Sequence, residues 1–124
     1  MHDQPSIAEL VQAVKNFIDE SAAPNLTGHA AFHARVASNA LATVLRDIDQ
    51  RPQSEAAERV RLLALLDARE DTDIEALNAD LSARIRSNEF TAETEGLLAH
   101  LKATTMDQVE IDQPRYSGLK TAKT

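Results

Sequence analysis

The sequence predicts an all-α fold, a compact and mostly antiparallel bundle of about five helices. Three observations carry that expectation. The 124 residues contain only 3 Gly and 4 Pro, too little turn chemistry for a β-sandwich or barrel, while Ala and Leu, both strong helix formers, abound. Two stretches open with capping-box signatures, Ser6-Ile7-Ala8-Glu9 and Thr72-Asp73-Ile74-Glu75. Apolar residues then recur three and four positions apart through five stretches.

The first helix begins at Ser6 and carries Ile7, Leu10, Val11, Val14, Phe17 and Ile18 on one stripe, with Lys15, Asn16 and Asp19 opposite. The segment from Ser21 to Gly28, with Pro24 and Asn25, interrupts it. Thr27 is placed to cap a second helix, which runs to Arg51, where Pro52 is expected to stop it. A third, from Ser54 to about Ala68, has leucines on several faces and so reads as central or as lying against a partner. The fourth opens at Thr72 and carries Ile74, Leu77, Leu81 and Ile85 on a narrow stripe. Asn88 is placed to end it in the left-handed conformation. The last runs from about Ala92 to Asp112, with Leu97, Leu98, Leu101, Thr105 and Val109 inward, and Pro114 forbids much continuation. Residues 1–119 then form a single helical domain and residues 120–124 a mobile tail.

Composition narrows the function. With 20 acidic against 13 basic residues the net charge is −7, which opposes binding to nucleic acid and to anionic membranes. No Cys is present, which removes disulfides, thiolate metal sites and cysteine nucleophiles together. The stretch Met1-His2-Asp3-Gln4-Pro5 lacks the basic flank and apolar core of a signal peptide, and no apolar run is long enough to span a membrane. The expected location is cytoplasmic. No nucleophile elbow, phosphate-cradling loop or dinucleotide fingerprint is present, so no cofactor is expected.

What remains is a set of polar residues on apolar faces. Projected at about 100° per residue, the second helix shows an arc of Phe32, Val36, Ala37, Ala40, Leu41, Val44 and Ile48. His33 lies near its middle, His29 and Asn39 lie at its margins, and Arg35 lies outside. His33 is therefore expected to be enclosed. Asn78 borders the stripe of the fourth helix, and Asp112 falls inward on the last. A buried imidazole, amide and carboxylate satisfy one another and set helix register. The alternative is a small pocket of His33, Asn39 and Asp112, with the imidazole as a base. His29 and His33, four apart, make half of a metal site, with His100 or a carboxylate the only further ligand on offer; no metal is expected. Beyond the last helix, Arg115 suits the negative helix end and Tyr116, the single tyrosine, is placed to anchor the C-terminal turn.

Three segments, Ala31-Phe32-His33-Ala34-Arg35-Val36-Ala37-Ser38-Asn39-Ala40-Leu41, Leu77-Asn78 with Ala83-Arg84-Ile85-Arg86, and Asp112-Gln113-Pro114-Arg115-Tyr116-Ser117-Gly118, together resemble a small bacterial helical family of unknown function. The resemblance spans Pro5 to Leu119 and singles out Phe32, His33, Arg35, Asn39, Asn78, Arg84, Asp112, Pro114, Arg115 and Tyr116. Gln113, where Asn is commoner, and Asn88, where Gly is commoner, depart from its pattern mildly. Members of that family are often encoded beside aminoglycoside-phosphotransferase-like kinases and acyl-CoA dehydrogenases. The resemblance thus implies a non-catalytic accessory or binding module acting with such a kinase. The alternatives are a small-molecule-binding bundle or minor enzyme in acyl-thioester metabolism, and a structural homodimer joined through the leucine-rich third helix.

Overall fold

The computed structural model describes residues 4–124, and no strand occurs among them. Met1, His2 and Asp3, which belong to the stretch read above for a targeting signal, lie outside the described residues. The described residues form five α-helices: α1 (Ile7–Phe17), α2 (Gly28–Leu66), α3 (Ile74–Arg86), α4 (Leu97–Asp112) and α5 (Ser117–Lys123). No helix among the described residues is long and apolar enough to cross a membrane. The chain divides into two compact units, one up to Arg51 and one from Pro52 to Thr124.

In the first unit, α1 starts at the expected capping box. Ser6 Oγ accepts from the Glu9 amide and Glu9 Oε1 accepts from the Ser6 amide, each at 3.2 Å, so two orphan donors of the first turn are satisfied reciprocally. After Phe17 the helix widens into a π turn (Ile18–Ala22) and then tightens into a 3-10 turn (Ala23–Asn25). Asn25 donates to the Ser21 carbonyl at 2.6 Å. Gly28, at φ 59°, reverses the chain into α2. Ser38 of α2 then reaches back to Asp19 of the π turn.

That contact fixes the rotation of α2, and it differs from the sequence expectation. Ser38 is buried and Ala31, Ala34, Leu41 and Leu45 beside it are half-buried, a seam rotated by roughly a third of a turn from the centre of the apolar arc. Small residues on this seam let the helix approach closely, while Phe32, Val36, Val44 and Ile48 stay largely exposed. His33, expected to be enclosed, is exposed as well.

A second correction concerns Pro52. It does not stop the helix: α2 runs unbroken through it for 39 residues. A proline removes one backbone donor and biases the preceding residue away from helix, yet helices that continue through a proline do occur. The second and third expected helices are therefore one, and Pro52 marks the boundary between units instead.

The second unit is built on Leu62, Leu66, Leu77, Leu81 and Leu97, with Leu63, Leu65, Ala68, Ile74 and Phe90 packed around them. The second half of α2, α3 and the first turn of α4 thus share one core. Helix α2 ends at Asp67 in the left-handed region (φ 50°). Arg59 of α2 donates to the Glu70 carbonyl and holds the following loop. The cap of α3 is Asp73, one residue later than expected. Its carboxylate accepts from the Ala76 amide at 2.8 Å, a stronger, charge-assisted version of the bond Thr72 was expected to make. Asn88 ends α3 at φ 65°, as the sequence indicates.

Helix α4 starts at Leu97, five residues later than expected. Thr91 and Thr94 hold the preceding segment as a turn: Thr94 Oγ1 accepts from the Thr91 amide at 2.9 Å, and Thr91 Oγ1 accepts from the Glu93 amide at 3.3 Å. Hydroxyls so placed compete with helical bonding. The buried face of α4 is Leu97, His100 and Ile111, whereas Leu98 and Leu101 are exposed. Residues 117–123 form α5, with Leu119 buried and Lys123 paired to Glu110 of α4. Leu119 anchors this turn; Tyr116, expected to do so, is largely exposed.

Candidate functional site

The residues singled out in the sequence fall into both units. His33, Arg35 and Asn39 are exposed on the first half of α2. The His33 ring meets Phe32 edge-on, with centroids 5.6 Å apart. In the second unit, Asn78 donates to Glu58 Oε1 at 3.0 Å and to the Ile74 carbonyl at 3.2 Å, which joins α3 to α2. Asp112 is exposed and accepts from Gln108 at 2.8 Å. Among the described residues no group of three His, Cys, Asp or Glu is placed to hold a metal ion.

Arg84 has a structural task. Its Nε and Nη2 take both Asp80 oxygens at 3.0 and 3.1 Å. Nη2 also faces the Leu66 carbonyl at 3.4 Å, and the guanidinium lies 5.4 Å over the Phe90 ring. It thus closes the negative end of α2 and covers the core next to it. Asp80 holds the guanidinium in its charged form and raises its pKa further.

Arg115 and Tyr116 line an open groove of about 470 Å³ with Pro114, Ser117, Leu119, Lys120 and Lys123. The Tyr116 ring lies over Gly118 there. A Cβ at that position would stand 2.5 Å from Tyr116 Cε1.

The sequence reading missed the most enclosed polar centre. His100 is only 3% exposed. Arg61 Nε donates to its Nδ1 at 3.2 Å, and Arg61 Nη2 donates to Thr104 Oγ1 at 3.0 Å. An Nδ1 that accepts a bond carries no proton, so the imidazole is the neutral Nε2–H tautomer and a donor. Burial pushes its pKa below the ordinary histidine value, and the Arg61 charge adds in the same direction against a smaller opposite effect of Glu58. Beside this pair lies a cleft of about 400 Å³ lined by Arg61, Ala64, Leu65, Glu95, Gly96, Ala99 and His100. Gly96, at φ 86°, carries the chain into α4 in a conformation that side chains resist. The signal was present in the sequence: Leu97, His100, Thr104 and Ile111 repeat at helical spacing, but the exposed leucines of α4 drew the expected stripe to the wrong side.

The family described as a domain of unknown function (DUF6285) matches residues 24–116. No curated protein and no solved structure matches the chain.

Proposed function

We propose, from the premise that this chain belongs to the DUF6285 family, that it is a non-catalytic accessory module of the cytoplasm that docks a phosphotransferase-like kinase through its first unit. The observation that carries this reading is the apolar surface the first unit leaves uncovered. On α1, Ile7 (72% exposed), Leu10, Val14 and Phe17 (62%) repeat at spacings of three, four and three. On α2, Phe32 (54%), Val36, Val44 and Ile48 form a second such row. Each helix turns another, less exposed face inward, around Val11 on α1 and Ser38 on α2, and leaves these rows uncovered.

Large side chains in rows of this kind mark interaction surfaces on soluble proteins. Covering a half-exposed Leu, Val or Phe contributes on the order of 1 kcal/mol. Eight of them together offset a substantial part of the entropy lost on association. An exposed apolar row on a helix suits an amphipathic partner helix laid along it. The class of partner comes from the resemblance described above, in which such kinases accompany the family.

The test is co-expression with a phosphotransferase-like kinase of the same genome, followed by affinity capture of the tagged chain. A complex should form with the native chain and be lost in a Val14→Glu, Phe32→Glu double variant that keeps its helical circular dichroism. Light scattering of the chain alone completes the experiment. A stable homodimer abolished by the same substitutions would make a second copy the occupant and end the kinase reading. So would the absence of any complex.

A further inference from the structure

Independently of that docking face, we propose that the cleft beside Arg61 and His100 is a binding site for a small amphipathic carboxylate, its headgroup on Arg61 and His100 and its apolar body over Leu65 and Ala99. Four observations converge on one wall of the second unit. The first is the His100 imidazole itself: almost fully buried, with Nδ1 engaged by Arg61, it has no partner on Nε2 among the described residues and lines the cleft. No fully buried side-chain nitrogen or oxygen lacks a partner among the described residues, so this Nε2–H is open to the cleft and can donate to an occupant there.

The second observation is Arg61. Its guanidinium is half-buried and held by two neutral groups, His100 and Thr104, and it forms no ion pair with any carboxylate among the described residues. Two other half-buried arginines, Arg51 and Arg84, take an acidic partner four residues away, Asp47 and Asp80, whereas Arg61 does not. A planar fork with free donors, fixed in orientation by its other bonds, matches a carboxylate.

The third is the first turn of α4. Helix α4 has 16 residues, and Gly96 caps it without any side-chain acceptor. The Leu97 amide is taken by the Thr94 carbonyl, which leaves the next amides of the first turn and the positive end of the dipole beside Gly96 and Ala99 of the cleft wall. The fourth is the lining. Apart from the polar pair and Glu95, the walls are Ala64, Leu65, Gly96 and Ala99, which suits an apolar body and gives no further polar group to a sugar or nucleotide. The Glu95 and Glu58 carboxylates near the site oppose any negative charge beyond the one Arg61 balances, so a dianionic phosphate meets more repulsion than a carboxylate.

The experiment is calorimetric titration of the whole chain with hexanoate, compared with hexanol and hexyl phosphate. Saturable hexanoate binding is expected, with both comparators weaker. Arg61→Met should weaken hexanoate about tenfold or more, the loss expected of a charge-assisted bond. Because Arg61→Met also removes a buried partner of His100, Ala99→Leu serves as the second variant; Ala99 is exposed, and the longer side chain fills the cleft without touching the core. Loss of binding in Ala99→Leu with an unchanged melting temperature supports the site. The proposal falls if hexanoate does not saturate the native chain, if hexanol or hexyl phosphate binds as well, or if Ala99→Leu binds hexanoate unchanged.

Discussion

Ser38 Oγ on α2 donates a hydrogen bond to Asp19 Oδ1 on the π turn at 2.5 Å, while the other oxygen of Asp19 takes Lys15 Nζ at 2.7 Å. One carboxylate thus joins three segments of the first unit, and the bond to α2 comes from the one buried residue of that helix half. The hydrogen bond from Lys15 and then that from Ser38 hold Asp19 below the ordinary carboxylate pKa. A depressed folded value contributes stability that is present above the unfolded pKa of about 3.9 and is lost as pH falls through the folded value. Ser38→Ala should move the Asp19 pKa upward and leave the Lys15 contact in place. A carboxyl carbon titration by NMR reads the shift directly; an unmoved Asp19 would show that the bond does not persist in solution.

His100 gives a second pH signature with its own window. Its folded pKa lies below the ordinary value of about 6.5, so between those two values the unfolded chain binds a proton that the native chain refuses. Above about pH 6.5 this group has no effect on stability, and below it stability falls until the folded pKa is passed. Urea melts of the native chain and of His100→Asn across pH 5 to 8 should therefore diverge in slope only below about 6.5. Arg61→Met should raise the His100 pKa, because it removes an adjacent positive charge. Equal slopes in both chains would contradict a neutral, buried imidazole.

The same two residues show where the sequence was legible and where it was not. Local signals read correctly: Ser6 and Glu9 cap α1, Asn88 closes α3, and Leu77 and Leu81 face the core. These depend on a few neighbouring residues and on backbone chemistry alone. Rotation of a helix about its axis depends on its neighbour. In the first turns of α2 the small residues Ala31, Ala34 and Ser38 face inward while Phe32 and Val36 stay exposed, so a projection that sends bulk to the core places His33 on the wrong side. Helix α4 repeats the lesson, since His100 is enclosed and Leu98 is not. Of the candidate residues, Arg84 and Asn78 proved to join helices. Arg61, the cation of the cleft, carried no sequence signal because its partners lie 39 and 43 residues away.

The contrast between core and uncovered seam is measurable as stability. Leu62 is 0% exposed at the centre of the second unit, so Leu62→Ala should cost about 2–5 kcal/mol by loss of burial and creation of a cavity. Val14→Ala on the uncovered seam of α1 should change the isolated chain by no more than about 0.5 kcal/mol. Chemical denaturation of each variant decides the matter. A large loss from Val14→Ala would mean that the seam is covered in solution.

Pro52 inside α2 leaves the Ile48 carbonyl without the backbone donor that position 52 would otherwise supply. Proline in a helix interior is disfavoured by about 3 kcal/mol against alanine. Pro52→Ala should therefore stabilise the chain, by about 1–3 kcal/mol once accommodation of the native helix is allowed for. The readout is an increase in melting temperature, together with slow hydrogen exchange at the new amide. An unchanged or lowered melting temperature would show that the native helix does not bear the cost of the missing donor.

Gly118 offers the cleanest optical test. It lies in α5, where alanine would ordinarily stabilise by up to about 1 kcal/mol, yet a Cβ there would meet Tyr116 Cε1 at 2.5 Å and Cζ at 2.8 Å. The obstructing atoms belong to the outer part of a largely exposed ring, which swings aside at little cost. Gly118→Ala should thus displace the ring and leave stability within about 1 kcal/mol of native. Tyr116 is the only tyrosine and the chain has no tryptophan, so its fluorescence and near-ultraviolet dichroism report this movement without interference. If the optical signals stayed constant, the ring would not rest on Gly118 in solution. If instead the chain lost several kcal/mol, the ring would be held far more firmly than its exposure implies, and the groove lined by Arg115, Tyr116 and Lys120 would be a rigid feature of the fold.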